Sequence, residues 1–202
     1  MPPLDLTVFD DDELVARVRS GDRDAFGALV GRHQRAALRV AAVISGSTEE
    51  ANDIVQDAMV KAYRGIGSYR GTSPVRSWML RVVANEAKNH VRGRVRRLRR
   101  DDRVAGRELR VTTGADAAVF DQLEHEELAR ALARLGANDR AVLGCRFVAD
   151  LSEAESATVL GVARGTVKSR TSRALDRLRT ELGESPGESL GESLGESLGE
   201  PT

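Results

Sequence analysis

The chain has 202 residues, enough for one domain or two small ones, and 41% of them are hydrophobic, which excludes disorder along the whole length. Aromatic residues make up only 3%, and Val, Leu and Ala dominate the apolar set, a composition that favours helices packed through aliphatic stripes. With 31 basic and 31 acidic residues the formal net charge is zero. Taken alone, that balance argues against a nucleic-acid partner, because a DNA-binding surface must neutralise phosphates.

The zero net charge is an average over separated blocks. Residues 81–110 contain eleven basic and four acidic residues, and residues 164–179 contain six and one. The first 24 residues hold seven acids and three bases, whereas the segment from Gly183 onward has five glutamates and no base. Charge sorted in this way predicts two basic surfaces between acidic ends.

The amino-terminal half predicts four helices. Apolar residues at helical spacing give a short first helix that Gly21 ends, and Asp22 is placed to cap a second. Ser47 and Glu50 have the capping-box spacing for a third helix, which ends near Gly65. A loop rich in glycine and serine follows. A long fourth helix then begins at residues 73–74, apolar in its first half and almost all arginine in its second.

The carboxy-terminal half predicts short helices over about residues 121–135, 138–149, 152–160 and 164–182. Asn138 is a suitable N-cap, Ser152 and Glu155 repeat the capping-box spacing, and Gly161 is a suitable terminator. We therefore predict an all-α fold of two small helical domains, over residues 10–100 and 121–182, joined by a flexible linker over residues 101–120. The GESL repeat within residues 183–202 predicts a disordered acidic tail, because glycine at every fourth position opposes a helix.

Cysteine, histidine and hydropathy patterns exclude several kinds of site. The single cysteine, Cys145, rules out an internal disulfide and a multi-cysteine zinc site. We expect its thiol to be buried and unreactive, with a redox switch as the alternative. His33, His90 and His125 share no ligand spacing, so we predict no metal site and no cofactor. Without a long apolar run or a basic amino-terminal leader, the chain is predicted to be cytoplasmic, with no membrane insertion.

The segment LSEAESATVLGVARGTVKSRTSRALDRLR, residues 151–179, has the layout of a helix-turn-helix with its turn at residues 161–163. Counting at 3.6 residues per turn puts the apolar residues of the second helix on one side and its basic and hydroxyl residues on the other. The outer side carries Lys168, Ser169, Ser172 and Arg173. An ordinary solvated helix surface is the alternative interpretation. The turn, the capping box and the arginines at 92–100 favour a DNA-binding helix.

At these residues the chain resembles a known family. Residues 151–179 are similar to region four of a bacterial sigma factor. Two earlier segments, DAFGALVGRH and ANDIVQDAMVKAYRGIGSYRGTSPVRSWMLRVVANEAKNHVRGRVRR, resemble region two. The likeness covers roughly residues 10–182, in the family's order and with a linker where larger members carry region three. The form with regions two and four alone is the extracytoplasmic function (ECF, group 4) class of the sigma-70 family.

The resemblance implies a promoter-specificity subunit of RNA polymerase and not an enzyme. Such a subunit directs the core polymerase to promoters, reads the minus-thirty-five duplex and captures melted minus-ten bases. The implied partners are the polymerase core, through its β′ clamp helices and β flap, promoter DNA and an anti-sigma factor. The residues that match core-binding positions are Asp53, Gln56, Asp57, Lys61 and Arg64.

The same resemblance assigns two sets of DNA-binding residues. Those matching minus-ten positions are Ser68, Tyr69, Arg70, Asn85, Lys88, Asn89, Arg92, Arg96 and Arg97. Those matching minus-thirty-five positions are Arg164, Thr166, Lys168, Ser169, Arg170, Ser172 and Arg173. Arg173 is the first candidate for a guanine contact, because a guanidinium pairs bidentately with guanine O6 and N7. For Tyr69 two alternatives stay open, stacking on a captured base or packing inward. Ser156 departs from the family, which has a buried apolar residue there.

Two other functions compete with this interpretation. An ordinary two-domain helix-turn-helix repressor or activator would bind its duplex tightly without polymerase. A nucleic-acid hydrolase would need clustered acids for metal ions or a nucleophile beside a base. The acids of this chain are scattered along helix faces or lie in the tail, which disfavours the hydrolase.

Overall fold

The computed structural model describes residues 6–105 and 126–183. Within these ranges the chain forms eight α-helices and no strand: α1 (Asp11–Arg19), α2 (Arg23–Ser45), α3 (Thr48–Gly65), α4 (Val75–Ala105), α5 (Glu126–Arg134), α6 (Ala137–Leu143), α7 (Glu153–Leu160) and α8 (Arg164–Leu182). A π-helical turn, Gly144–Val148, follows α6. The predicted all-α class is confirmed. The predicted tail beyond residue 183 and the linker from residue 106 lie outside the described residues.

Side-chain caps fix where several helices begin. Asp10 and Glu13 form a capping box at α1, with the Glu13 amide donating to Asp10 Oδ1 over 2.8 Å. Ser152 and Glu155 form a second box at α7, and the hydrogen bonds from Ser152 lower the pKa of the Glu155 carboxyl. The Asp22 carboxylate accepts from the first amides of α2. These caps satisfy amides that a helix start leaves without partners. The starts predicted at Asp22, Ser47 and Ser152 are confirmed, whereas the Asp10 cap was not predicted.

Several boundaries differ from those predicted. Helix α4 begins at Val75 and not at residues 73–74. Asn138 is not an N-cap: the Gly136 carbonyl accepts from the amides of Asp139 and Arg140 at 2.9 and 3.0 Å, so Gly136 is the cap and Asn138 lies inside α6. Helix α4 also continues past residue 100 to Ala105. Its arginine-rich part has good helix propensity and nothing in the sequence breaks it.

The first module consists of α1–α4. Helices α2, α3 and α4 pack against one another, and α1 lies across α2. Leu29, Ile44, Ile54 and Leu80 are almost fully enclosed in this core. Each such side chain contributes about 1.5–3 kcal/mol relative to exposure. The rigid bundle therefore holds the exposed faces of α3 and α4 in fixed positions.

The second module consists of α5–α8. Leu132 from α5, Val142 from α6 and Val167 and Leu178 from α8 lie in one apolar cluster. Ser156 of α7, at a position that the resemblance to region four predicts to be apolar, is also fully buried. Its hydroxyl has no hydrogen-bond partner among the described residues. The cluster fixes which side of α8 faces away from the core.

The two modules pack directly on each other. Helix α7 lies along α4, and α6 with the π turn lies on α2. Five residues of the second module are buried in the core of the first: Ala141, Cys145, Ala149, Leu151 and Val159. The sequence predicts only a flexible linker between the two domains, and no contact between them was predicted. In this structure they form one closed arrangement.

Candidate nucleic-acid interface

Helix α8 presents a basic surface on the side opposite its buried residues. The turn before it contains Gly161, whose φ of +67° ends α7 in the left-handed conformation, a conformation that favours glycine. Val167, Ala174 and Leu178 fix the inner side of α8. The exposed side chains form what we call the α8 surface: Arg164, Lys168, Ser169, Ser172 and Arg173. The helix-turn-helix geometry expected from the sequence is thus present, with short or cationic side chains outward.

Hydrogen bonds orient two arginines of the α8 surface. Arg173 Nε donates to the Ser169 carbonyl over 3.1 Å, and the two terminal amino groups, which can pair with a guanine edge, lie outside that bond. Arg164 Nε lies 3.3 Å from Glu153 Oε2, which holds Arg164 at the start of α8. Thr166 is half-buried beside it. Phosphate groups are favoured at such a helix start, because its free amides and its dipole both attract anions.

Helix α4 carries a second basic stripe, which we call the α4 surface. Asn85, Asn89, Arg92 and Arg96 are exposed and recur three or four residues apart, so they share one side of the helix. Arg92 Nη1 donates to Asn89 Oδ1 over 3.1 Å. Toward the end of α4 an open recess is lined by Gly93, Arg96, Arg97, Arg99 and Arg100. The stripe combines amide groups that can bond bases with cations that can follow a backbone.

Lys88 and Arg170 are placed differently from the other predicted DNA-binding residues. Both are half-buried, Lys88 on α4 and Arg170 on α8. Burial lowers the pKa of the Lys88 ammonium, and the cations Arg92, Arg170 and Arg81 lower it further. The charge of Arg170, a predicted minus-thirty-five residue, therefore acts on Lys88, a predicted minus-ten residue of the other module.

The loop between α3 and α4 contains the tyrosine for which the sequence left two alternatives. Tyr69 is 6% exposed. Its hydroxyl donates to the Ser73 carbonyl over 2.7 Å, and its ring lies 5.6 Å from that of Trp78. In this conformation Tyr69 packs inward and its ring is not open for stacking on a base. The flanking Ser68 and Arg70 are exposed, so the loop still offers polar groups to a strand.

Helix α3 exposes the residues matched to polymerase binding. These are Asp53, Gln56, Asp57, Lys61 and Arg64, and Lys61 pairs with Glu86 of α4. Sequence reasoning missed two apolar neighbours, Val60 and Tyr63, which are 45% and 38% exposed. Val60 falls outside the helical spacing of the buried stripe of α3. An apolar residue at such an exposed position is the sequence feature that could have indicated a binding surface. Together these residues form the α3 surface, which has an apolar part within a polar rim as protein interfaces do.

In residues 6–105 and 126–183, no three His, Cys, Asp or Glu side chains come together in a way that would hold a metal ion. None of the described helices is both long and apolar enough to cross a bilayer.

The fold and its surfaces define a helical DNA-binding protein whose second module carries a helix-turn-helix. Comparison with known proteins agrees with this class. The sigma-70 region 2 family matches residues 29–97, and the sigma-70 region 4 family matches residues 131–180. These ranges correspond to most of the first and second modules.

Relatives and solved structures specify the family. The ECF RNA polymerase sigma factor SigM of Mycobacterium tuberculosis (strain ATCC 25618 / H37Rv) is 38% identical over 173 residues, covering 86% of this chain and 85% of SigM. The structure of CnrH in complex with the cytosolic domain of CnrY is similar with a TM-score of 0.64 at 27% identity, covering 86% of this chain and 97% of that one. The sigma factor RpoE of Bartonella quintana, solved with the anti-sigma factor NepR, has a TM-score of 0.62 at 26% identity, covering 78% and 96%. The chain belongs to the sigma-70 family, as an RNA polymerase sigma factor of the ECF class.

Proposed function

We propose that this sigma factor directs core RNA polymerase to a set of promoters by reading the minus-thirty-five duplex with the α8 surface and holding melted minus-ten bases with the α4 surface. The observation that carries the proposal is the separation of two basic stripes on two rigid modules. One stripe follows a helix-turn-helix turn, as duplex recognition requires. The other lies beside an exposed polar loop, as capture of a single strand requires.

On the duplex, the α8 surface makes two kinds of contact, one with base edges and one with the phosphate backbone. Arg173 pairs with a guanine and supplies base discrimination. Lys168 neutralises a phosphate, and Arg164 with Thr166 holds the backbone at the start of α8, so these residues set affinity and register for every sequence alike. Ser169 and Ser172 are short enough to let the helix approach the base edges.

On the melted strand, flipped bases must be held long enough for the bubble to grow, and unstacking costs a few kcal/mol per base. Asn85 and Asn89 on the α4 surface can bond the base edges, while Arg92 and the arginines at 96 and 97 neutralise the backbone. The exposed Ser68 and Arg70 of the loop add polar groups. Tyr69 supports the loop from inside by its bond to Ser73.

Core polymerase binds the α3 surface through the β′ clamp helices, and the second module contacts the β flap. Apolar Val60 and Tyr63 within a rim of Asp53, Asp57 and Arg64 support this assignment, because a desolvated apolar centre with charged edges is typical of protein interfaces. The chain itself performs no chemistry, works in the cytoplasm beside polymerase, and is held inactive by an anti-sigma factor. The solved relative from Bartonella quintana supports that last partner.

Run-off transcription with purified core polymerase tests the proposal. The full chain is added to core enzyme and a library of promoter fragments, and transcript starts are mapped. Specific initiation that needs both the chain and the core enzyme is the expected result. Tight duplex binding by the chain alone, with no effect on initiation, would instead identify an independent helix-turn-helix repressor or activator.

A further inference from the structure

An arginine of α1 bonds the backbone of the loop that precedes α4. This loop, residues 66–74, is called the α3–α4 loop below. Arg19, in the last turn of α1, donates through Nη2 to the Tyr69 carbonyl and, over 3.4 Å, to the Ile66 carbonyl. Its guanidinium carbon lies 6.0 Å from the centroid of the Tyr69 ring. Because the donor is charged, these bonds are stronger than those between neutral groups.

The two bonded carbonyls lie on either side of Ser68 and directly before Arg70. The Tyr69 carbonyl belongs to the peptide group that joins Tyr69 to Arg70, and a peptide group is planar. Fixing that carbonyl therefore also fixes the Arg70 amide and limits where the exposed Arg70 side chain can point. The Ile66 carbonyl begins the 3₁₀ turn Ile66–Ser68, so its bond fixes the turn that presents Ser68.

The α3–α4 loop has little rigidity of its own, because it is rich in glycine and serine and glycine has the most conformational freedom to lose. Gly71 has a φ of +68°. From inside, the loop is fixed by the bond from the Tyr69 hydroxyl to the Ser73 carbonyl. From outside, it is fixed by Arg19. Burial raises the pKa of the Tyr69 phenol and the Asp12 carboxylate raises it further, so a second residue of α1 also acts at the loop.

We propose that Arg19 is a positioning residue for minus-ten recognition, which fixes the backbone of the α3–α4 loop so that Ser68 and Arg70 face the melted strand. This step rests on the proposed function. A loop that is ordered before binding loses less conformational freedom when it receives an unstacked base, so more of the contact energy is left for holding that base. Arg19 precedes the residues that match the region 2 family, 29–97, and no family match gave it a role.

Trp78 reports on the loop without DNA or polymerase. It is the single tryptophan, and its ring lies 5.6 Å from that of Tyr69. In the full chain, Arg19→Gln should raise the acrylamide quenching constant of the Trp78 fluorescence and shift its emission to longer wavelength. The reason is that a loop released from α1 opens more often and lets solvent reach the ring.

Arg17→Gln is the matched control, because Arg17 is also an arginine in the last turn of α1 but does not bond the loop. Its guanidinium lies 4.1 Å from the centroid of the Phe9 ring, and its Nη1 lies 3.4 Å from Asp22 Oδ2. The quenching constant of Arg17→Gln should equal that of wild type. Arg19→Lys keeps the charge but replaces the planar fork by a single ammonium, so its value should lie between those of wild type and Arg19→Gln.

Binding of single-stranded minus-ten oligonucleotides to the assembled holoenzyme, followed by fluorescence anisotropy, measures the effect on recognition. Arg19→Gln should weaken binding to the strand selected by run-off transcription about tenfold and reduce the preference for it over strands with altered bases. Affinity for the minus-thirty-five duplex should not change. Combined with Arg70→Ala, Arg19→Gln should add less than it does alone, because it acts through Arg70.

The positioning role is refuted if Arg19→Gln and Arg17→Gln give the same quenching constant. It is also refuted if the effects of Arg19→Gln and Arg70→Ala on minus-ten binding add fully, as two independent phosphate contacts would. A lower urea midpoint with equal weakening at both promoter elements would show that Arg19 serves the fold alone. A wild-type holoenzyme without base preference at minus ten overturns the proposed function instead, and the quenching difference still decides whether Arg19 fixes the loop.

Discussion

Replacing Arg173 and Lys168 separately by alanine should produce two different defects in promoter binding. Both side chains are exposed on the α8 surface, so neither change should unfold the module. Arg173→Ala should weaken binding to the preferred minus-thirty-five sequence and relax discrimination at one base pair. Lys168→Ala should weaken binding to preferred and altered sequences by the same factor.

The magnitudes follow from the groups that each side chain offers. The bond from Arg173 Nε to the Ser169 carbonyl, 3.1 Å, fixes the guanidinium along α8, so little further ordering is needed for a bidentate guanine contact. Such a pair contributes about 1–3 kcal/mol of discrimination, or about 5-fold to 150-fold in affinity. Lys168 supplies one phosphate contact, and its loss should reduce the slope of log K against log salt by about 0.9. Between about 50 and 200 mM salt, that slope corresponds to roughly a 3.5-fold difference in affinity.

Fluorescence anisotropy of the assembled holoenzyme on labelled promoter fragments measures both effects, with the minus-thirty-five sequence and the salt concentration varied in turn. Arg177→Ala is the control, because Arg177 is also an arginine of α8 but pairs with Asp139 of α6 at 2.5 Å. It should leave base preference unchanged. The reasoning fails if Arg173→Ala keeps full base discrimination, or if Lys168→Ala changes discrimination and leaves the salt slope intact.

Four further outcomes are expected. Ser156→Ala should leave the free energy of unfolding unchanged or raise it by up to about 1 kcal/mol, because it removes a buried hydroxyl that has no partner among the described residues. Urea titration measures this change, and a lower free energy of unfolding would contradict the expectation. Ser152→Ala should lower the free energy of unfolding by about 1 kcal/mol by removing the cap of α7, whereas an unchanged urea midpoint would show that the cap contributes nothing. Val60→Asp should weaken binding to core polymerase about tenfold without changing the urea midpoint, since Val60 is already 45% exposed; unchanged polymerase affinity would remove Val60 from the interface. Burial raises the pKa of Cys145 from 9.0 to about 12, so the neutral thiol stabilises the fold fully below pH 9 and this contribution is lost as the pH rises toward 12. Between about pH 8 and 10, wild type should therefore lose about 1 kcal/mol more unfolding free energy than Cys145→Ala, and parallel pH profiles would refute this.

The helices and their caps could be predicted because their causes are local. Asp22, Ser152 and Gly161 act within a few residues of their own positions, and a single sequence contains all of that information. The outer side of α8 was predictable for the same reason, since helical spacing alone separates Val167 and Leu178 from the basic residues. The Gly136 cap was missed because a backbone carbonyl performs it, and every residue has one.

The contact between modules could not be predicted, because its residues look ordinary in the sequence. Ala141 of α6 and Ala149, which follows the π turn, are small apolar residues that could face either module. Arg140 looks like one more surface cation among 31 basic residues, yet it is buried against backbone carbonyls at 2.8–2.9 Å. Burial and the nearby Arg94 lower the pKa of Arg140 to about 10. Because the partners of Arg140 are backbone carbonyls and not acidic side chains, the sequence contains no residue that would identify them.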